Sequence, residues 1–362
     1  MLILLALSAC VNATGAIADE IDGLYEVRVR VDDESQAARK KAIRTAMRQM
    51  LIKVTGGVNT PAAGQLGNLA SKPTGFVQQY RYERGSDSEN SEELLFLRVS
   101  FDPKAVNSQL RIAKMPIWGS IRPKVLVWMA IEDRIERQIL GRDGNPELTQ
   151  LVQDLADKRG VPLLLPLMDA SDYEKIQFTD VWGGFKDKIL SASQRYKADA
   201  ILIGRVYRDE PDGWQARWTI LHRDQSLYWN TSGYELAEIF SVGVDGTVDT
   251  LASHFAPETQ AESQGAPIVL AVKGVADLSQ YAELVRYLAK LEPVESAEPV
   301  GISADTLEVR LALRGSFEAL RQLLLLGKKL EVYKPEFSGD TSNAIETLPA
   351  PGGPRLHYKI KQ

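Results

Sequence analysis

The sequence predicts an α+β chain: three small mixed α/β modules after a signal peptide, the last of them ferredoxin-like. Three observations lead there. At 362 residues the chain is too long for one ordinary domain, and two or three are expected. Strand-like segments, alternating or wholly apolar, interleave with helical segments of three- or four-residue period. Stretches rich in Pro, Gly and polar residues, at 256–267 and 338–354, set off compact blocks. The expected divisions are a signal peptide over 1–18, an N-terminal α/β module over 19–116 and a central mixed-sheet domain over 120–255. A linker over 256–267, a βαββαβ module over 268–335 and a flexible tail over 338–362 follow.

Residues 2–7 form a short apolar run, and Ala16-Ile-Ala18 is an A-x-A cleavage site before Asp19. No Lys or Arg precedes the run, which leaves a start further upstream open. Leu7-Ser-Ala-Cys10 is similar to a bacterial lipobox, so the alternative is a lipidated Cys10 that tethers the chain to a membrane. Cleavage after Ala18 is preferred, because Ala18 directly precedes the first folded element. The run is well short of the ~20 apolar residues of a membrane span, and no transmembrane span is expected in the mature chain. Cys10 is the sole cysteine, so the mature chain has no disulfide, thiolate nucleophile or Cys-ligated zinc. His222, His254 and His357 are far apart in sequence, which disfavours a His-based metal site and leaves a carboxylate site open. Hydrophobic residues make up 44% and charged residues 25%, enough apolar material for several cores. The net charge of −5 argues against nucleic acid or an anionic membrane surface as the main partner.

In the first module, residues 24–31 alternate as a strand does, and 32–35 offer cap oxygens to a helix over 36–54. Ile43, Ala46, Met47, Met50 and Val54 form its buried stripe. Lys41, Arg44 and Arg48 face away and are expected to be solvated. Gly56 and Gly57 end the helix, and Thr60-Pro61 can begin a short second one. Residues 76–82 and 94–101 read as strands, joined by a mobile polar loop over 85–93. Asp102-Pro103 opens a helix to about Ala113.

In the central domain, 125–131 is a fully apolar strand and 147–159 a helix stopped by Gly160. Residues 161–168 read as an apolar strand whose two prolines place part of it at an edge or bulge. A helix over 185–196 carries Phe185, Ile189, Ala192 and Tyr196 on its inner face. A buried strand over 198–204 follows. Pro211-Asp-Gly213 turns the chain into a strand where Trp214, Ala216, Trp218 and Ile220 share a face. Another turn at 222–226 leads to a strand beginning at Leu227. In the last module, strands over 268–272, 294–300, 306–313 and 330–333 alternate with helices over 278–291 and 317–326. Residues 356–360 of the tail are expected to return as an edge strand.

Several short motifs share one family likeness. They are Leu24-Tyr25, Lys53-Val-Thr-Gly56, Val77-Gln-Gln-Tyr80, Arg122-Pro123, Val125-Leu-Val-Trp128, Arg159-Gly160, Pro166-Leu-Met-Asp169, Trp182-Gly-Gly-Phe185 and Arg195-Tyr-Lys-Ala-Asp199. Together, over most of residues 20–235, they resemble the exported bacterial proteins grouped as domain of unknown function 2066. The resemblance implies a Gram-negative cell envelope and supplies no catalytic residues. At fold level, the first unit is similar to the N-terminal domain of a flagellar assembly protein. The 198–204 region is similar to the amino-terminal domain of the Tol-system propeller protein. Both comparisons imply a periplasmic scaffold.

No nucleophile elbow, Walker loop or H-E-x-x-H is present, and Gly243-Val-Asp-Gly246 lacks the spacing of a dinucleotide loop. Ser253-His254 is a neighbouring pair, not a dyad. Glu132, Asp133 and Asp169 follow apolar strands. If those strands are parallel neighbours, the acids converge where open α/β sheets bind ligands. They could then hold a divalent cation or act as acid and base. The plainer expectation is that Asp169 and Asp172 cap a helix or turn while Glu132 and Asp133 are solvated. Trp182, Trp214, Trp218 and Trp229 could stack on a glycan, though such aromatics more often fill a core. The sequence thus points to a periplasmic envelope protein, non-catalytic, without cofactor or metal, that binds an envelope protein. A glycan- or anion-binding protein and an enzyme built on the carboxylates are the alternatives.

Overall fold

The structure is a computed structural model that describes residues 21–57, 66–86, 93–134, 136–209, 213–256, 267–314, 316–327, 329–333 and 355–361. The signal peptide with Cys10, the Thr60-Pro61 helix start, most of the 85–93 loop, Pro211-Asp212, most of the 256–267 linker and the tail over 338–354 lie outside these residues.

The N-terminal module runs β1 (Glu26–Val31), α1 (Gln36–Thr55), α2 (Asn68–Ser71), a 3-10 turn (Pro73–Phe76), β2 (Val77–Ser86), β3 (Glu93–Phe101) and α3 (Pro103–Ile112). Its sheet has the order β1-β3-β2, antiparallel throughout. Ser35 caps α1 by accepting from the Ala38 N–H, and Gly56 closes it in the left-handed conformation at φ 73°. The α1 stripe of Ile43, Ala46, Met47, Met50 and Val54 packs with Val27, Leu97 and Val99. Lys41, Arg44 and Arg48 are exposed, as amphipathic spacing requires.

The central domain is built on β4 (Val125–Asp133), β5 (Glu136–Ile139), α4 (Pro146–Arg159), β6 (Leu163–Leu164), α5 (Ala170–Tyr173), α6 (Phe178–Gly183) and α7 (Lys186–Ser193). A 3-10 turn (Gln194–Tyr196), β7 (Ala200–Asp209), β8 (Gly213–His222), β9 (Gln225–Gly233) and α8 (Leu236–Phe255) complete it. The sheet order is β5-β4-β7-β8-β9, with β6 pairing beside β4. β4, β6 and β7 are parallel and the other pairs antiparallel. One face presents Val127, Met129, Leu202 and Trp218 to a core shared with Val152 of α4 and Phe240 of α8. On the other face Leu126, Trp128, Ile201 and Ile203 meet Val181 of α6 and Ile189 of α7.

Two expectations change here, and two elements are new. The strand over 161–168 contracts to β6. Pro162 and Pro166 bring no N–H, and their carbonyls instead accept from Val125 and Arg142. Phe185 is exposed at the N-terminal boundary of α7 rather than on its inner face. The hairpin strand β5 and the helix α8, 20 residues long, had no counterpart in the sequence reading.

The last module runs β10 (Ile268–Lys273), α9 (Leu278–Lys290), β11 (Val294–Ser303), β12 (Thr306–Leu313), α10 (Phe317–Leu326), β13 (Leu330–Val332) and β14 (Arg355–Ile360). The first six elements keep the βαββαβ order. The expected edge strand of the tail does not lie at an edge. The sheet order is β11-β12-β10-β14-β13, so β14 sits between β10, to which it is parallel, and β13, to which it is antiparallel. Tyr358 is buried there and joins the core. That core is continuous with the one between α4, α8 and the central sheet.

Two buried arginines lock the first module to the second. Arg122 Nη2 donates to the carbonyls of Lys53 (2.6 Å) and Trp118 (2.9 Å), and Nη1 to that of Gly160 (2.6 Å). Its guanidinium lies 4.1 Å from the Trp118 ring centre. Burial pushes its pKa down to about 9. Arg159 Nη2 donates to the Gly56 carbonyl (3.0 Å) and to Asp249 (2.8 Å), and Nη1 to Asp245 (2.9 Å). The carbonyls at the end of α1, which have no partner within the helix, are satisfied by the neighbouring module.

Candidate interaction face of the central sheet

The predicted acids are brought into separate ion pairs. Glu132, near the end of β4, sits directly across from Arg137 of β5 and accepts from its Nε at 2.6 Å. Asp133 Oδ1 lies 3.7 Å from Arg208 Nη1 of β7. Asp169 is the N-cap of α5, accepting from the Asp172 N–H, and takes a two-pronged contact from Arg195 at 2.6 and 2.9 Å. The Arg195 hydrogen bond holds the Asp169 carboxyl down at about 2. Asp172 is fully buried and accepts from the Met168 N–H, from Arg195 and from the Tyr196 hydroxyl. Burial, then the bond to Asp172, pushes the Tyr196 phenol up to about 12. These contacts pin the 165–169 segment and the start of α5 to the turn before β7. Among the described residues no group of three or more His, Cys, Asp or Glu is placed to hold a metal ion.

The tryptophans divide between the two faces of the sheet. Trp218 and Trp229 are cross-strand partners on the face covered by α8. A Cβ built on Gly243 or Gly246 of α8 would come within 2.8 Å of the Trp218 and Trp229 rings respectively. Trp214 is buried in the same core. These three are packing residues. Trp182 stands on the opposite face, stacked on Phe178 (5.3 Å, 22° between planes) and edge-on to Tyr207 at 6.0 Å.

From Trp182 the sheet face runs outward past α6 and α7 over β7, β8 and β9. Arg205 and Arg217 are directly opposed across β7 and β8, and Tyr207 faces Gln215 two pairs further along, on the same side of the sheet. Asn230 and Ser232 continue those rows on β9. Arg205 Nη1 donates to the Trp182 carbonyl at 3.0 Å. Burial and then the charge of Arg217 lower its pKa. Two like charges in directly opposed positions destabilise a sheet. The Tyr207 hydroxyl donates to Gln215, whose amide donates to Asp209 at 2.7 Å. Arg217, Tyr228 and Asn230 are exposed. The face therefore offers aromatic planes, guanidinium donors and amides. Asp209, at the end of this row on β7, is tied to Gln215.

The sequence pattern grouped Trp182 with Trp214, Trp218 and Trp229, which the structure puts on the opposite face, and it did not single out Arg205, Tyr207 or Arg217. Arg217 lies within the strand expected after Gly213, whereas Arg205 and Tyr207 lie beyond the strand expected over 198–204, which the structure extends to Asp209. The signal was the Pro211-Asp-Gly213 motif in the sequence, between two strand-like segments. The register of the strands on either side, Asp209 against Gly213, sets Arg205 against Arg217.

The architecture is thus an α+β frame of three modules, and no described helix is long and apolar enough to cross a membrane. Residues 18–119 match a family described as a domain of unknown function (DUF8605). That match covers the N-terminal module. No curated protein matches the chain. A solved structure, a formyltetrahydrofolate deformylase from Pseudomonas putida, is similar at a TM-score of 0.13 and 9% identity. That comparison covers 49% of this chain and 82% of the deformylase.

Proposed function

We propose that this is a non-catalytic protein of the bacterial cell envelope, exported to the periplasm, that works by contact with an envelope protein. One observation carries the reading. The acids best placed for chemistry are built into the frame, with Asp169 capping α5 and held by Arg195, and Glu132 held by Arg137. The export-like leader, with Cys10 as the alternative lipid anchor, and the likeness of residues 20–235 to domain of unknown function 2066 support the setting. Crosslinking in intact cells, followed by capture of a tagged copy and mass spectrometry, tests it. One or two envelope proteins at near-stoichiometric amounts are expected. Recovery of abundant background alone would remove the scaffold reading. Turnover of a substrate that Asp169→Asn abolishes would move the assignment to an enzyme.

A second reading has its own support in the opposed Arg205 and Arg217 beside Trp182 and Tyr207. This grouping suits a small anion or an acidic glycan, since guanidinium pairs carboxylates through two hydrogen bonds and sugars stack on aromatic planes. Titration with uronic-acid oligosaccharides should quench Trp182 fluorescence and raise Tm in a saturable way. Arg217→Gln should weaken that response about tenfold. No response in the parent protein rules the reading out.

A further inference from the structure

β9 ends the central sheet, and among the described residues no strand pairs with its outer side. It spans Gln225–Gly233, nine residues with no Asp, Glu, Lys, Arg or Pro. Sheet edges are ordinarily protected from pairing by charges, prolines, bulges or shortness. Every other described edge in the molecule follows that rule. β1 carries Glu26, Arg28 and Arg30, β2 carries Arg81, Glu83 and Arg84, and β5 carries Glu136 and Arg137. β6 is two residues long between prolines. β11 has Glu295, Glu298, Pro299 and two register shifts, and β13 is three residues with Glu331. β9 alone is long, neutral and unprotected. It also exposes Leu227 (46%) and Tyr228 (73%).

The hairpin geometry says which groups are open. His222 pairs with Gln225 around the two-residue turn Arg223-Asp224. In such a hairpin the closing pair is hydrogen-bonded and the bonding alternates along the ladder. The main-chain N–H and C=O groups of Ser226, Tyr228, Asn230 and Ser232 therefore point away from β8.

We propose that β9 pairs antiparallel with β9 of a second copy of this chain, about a twofold axis at Trp229. In that register Tyr228 meets Asn230 of the second copy and Ser226 meets Ser232. Every outward main-chain group finds a partner, because the two sets are the same set reversed. The flanks match as well. Arg223, exposed at one end of the strand, is brought toward Glu235, exposed at the other end, of the second copy. Symmetry makes each such pair twice. The two central sheets become one continuous sheet, and their open faces with Arg205, Arg217 and Trp182 lie on the same side. This pairing does not rest on the envelope assignment.

Light scattering and sedimentation of the purified chain test the proposal. A dimer is expected. Tyr228→Lys with Asn230→Lys puts like charges across the pairing, as does Tyr228→Glu with Asn230→Glu, and each double variant is expected to be monomeric. Mixing the two in equal amounts is expected to restore a dimer, because the charges then oppose correctly. Ser232→Pro removes an outward donor while leaving the β8 ladder intact, and should raise the dimer dissociation constant at least tenfold. A parent protein that is monomeric at all concentrations overturns the proposal, including the case where β9 pairs with a strand of another protein. So do folded charge variants that both remain dimeric.

Discussion

At the scale of single residues, buried polar groups hold this structure in place. Arg122 and Arg159 satisfy carbonyls at the end of α1 that no helix partner can reach. Gly56 must be glycine on two grounds: its φ is 73°, and an added Cβ would lie 2.5 Å from that of Ala252. His222 gives this scale a pH dependence. Its ring is buried at the end of β8, 5.5 Å from the rings of both Phe255 and His254. Burial, with lesser contributions from Arg223 and His254, holds its pKa down from 6.5 to about 4. The unfolded chain therefore takes up this proton first as pH falls. The stability that neutral His222 contributes is whole above its unfolded value. It is lost progressively toward the folded value of about 4. Urea midpoints measured between neutral and mildly acidic pH should fall, and His222→Asn should flatten that part of the curve. An identical slope in the variant would assign it to other groups. Asp169, held at about 2, loses its contribution only at lower pH, so the two windows separate.

At the scale of elements, α8 decides how the central sheet is covered. Its apolar positions surround Gly243 and Gly246, which in sequence look like breaks in a helix. In the fold they are places where tryptophan rings come close. This yields a prediction opposite to helix propensity. Gly243→Ala gains about 1 kcal/mol of intrinsic helix preference. The new Cβ would stand 2.6 Å from the Trp218 ring, and overpacking of that kind costs about 1–3 kcal/mol. Trp218 is fully buried in a β-strand and cannot swing away. Calorimetry should show a lower Tm for Gly243→Ala, and a raised Tm would mean that the ring relaxes freely. The strand expected over 161–168 failed for a related reason. An apolar run resembles a strand in sequence, but two prolines cap how many ladder bonds it can make.

At the scale of the whole molecule, the chain closes on itself. The segment after 354 was expected at an edge and is found inside the last sheet, between β10 and β13. Removing an edge strand would leave the other strands paired. Removing β14 would strip β13 of its strand partner and leave β10 paired on one side. A chain ending at Pro354 should therefore become cleavable by protease within 268–333 under conditions where the full chain resists. Because the core of this module continues into that of the central domain, its Tm should fall as well. Resistance unchanged by the truncation would contradict the interior position.

Local chemistry made much of this protein legible without coordinates. Alternation marked β1 and β8, the apolar stripe marked α1, and Ser35, Asp102 and Gly160 marked helix ends, because each effect acts within a few residues along the chain. Asp169 as a cap was readable for the same reason. Its partner Arg195, 26 residues on, was not, nor was the opposition of Arg205 and Arg217. Nor did the sequence disclose that β14 is interior, that Trp182 faces away from Trp218, or that β9 is the one unguarded edge among the described strands. Register, sheet order and the choice of face depend on contacts between segments far apart in the chain. Those contacts are selected by shared burial and hydrogen-bond closure across the whole fold, which no local pattern encodes.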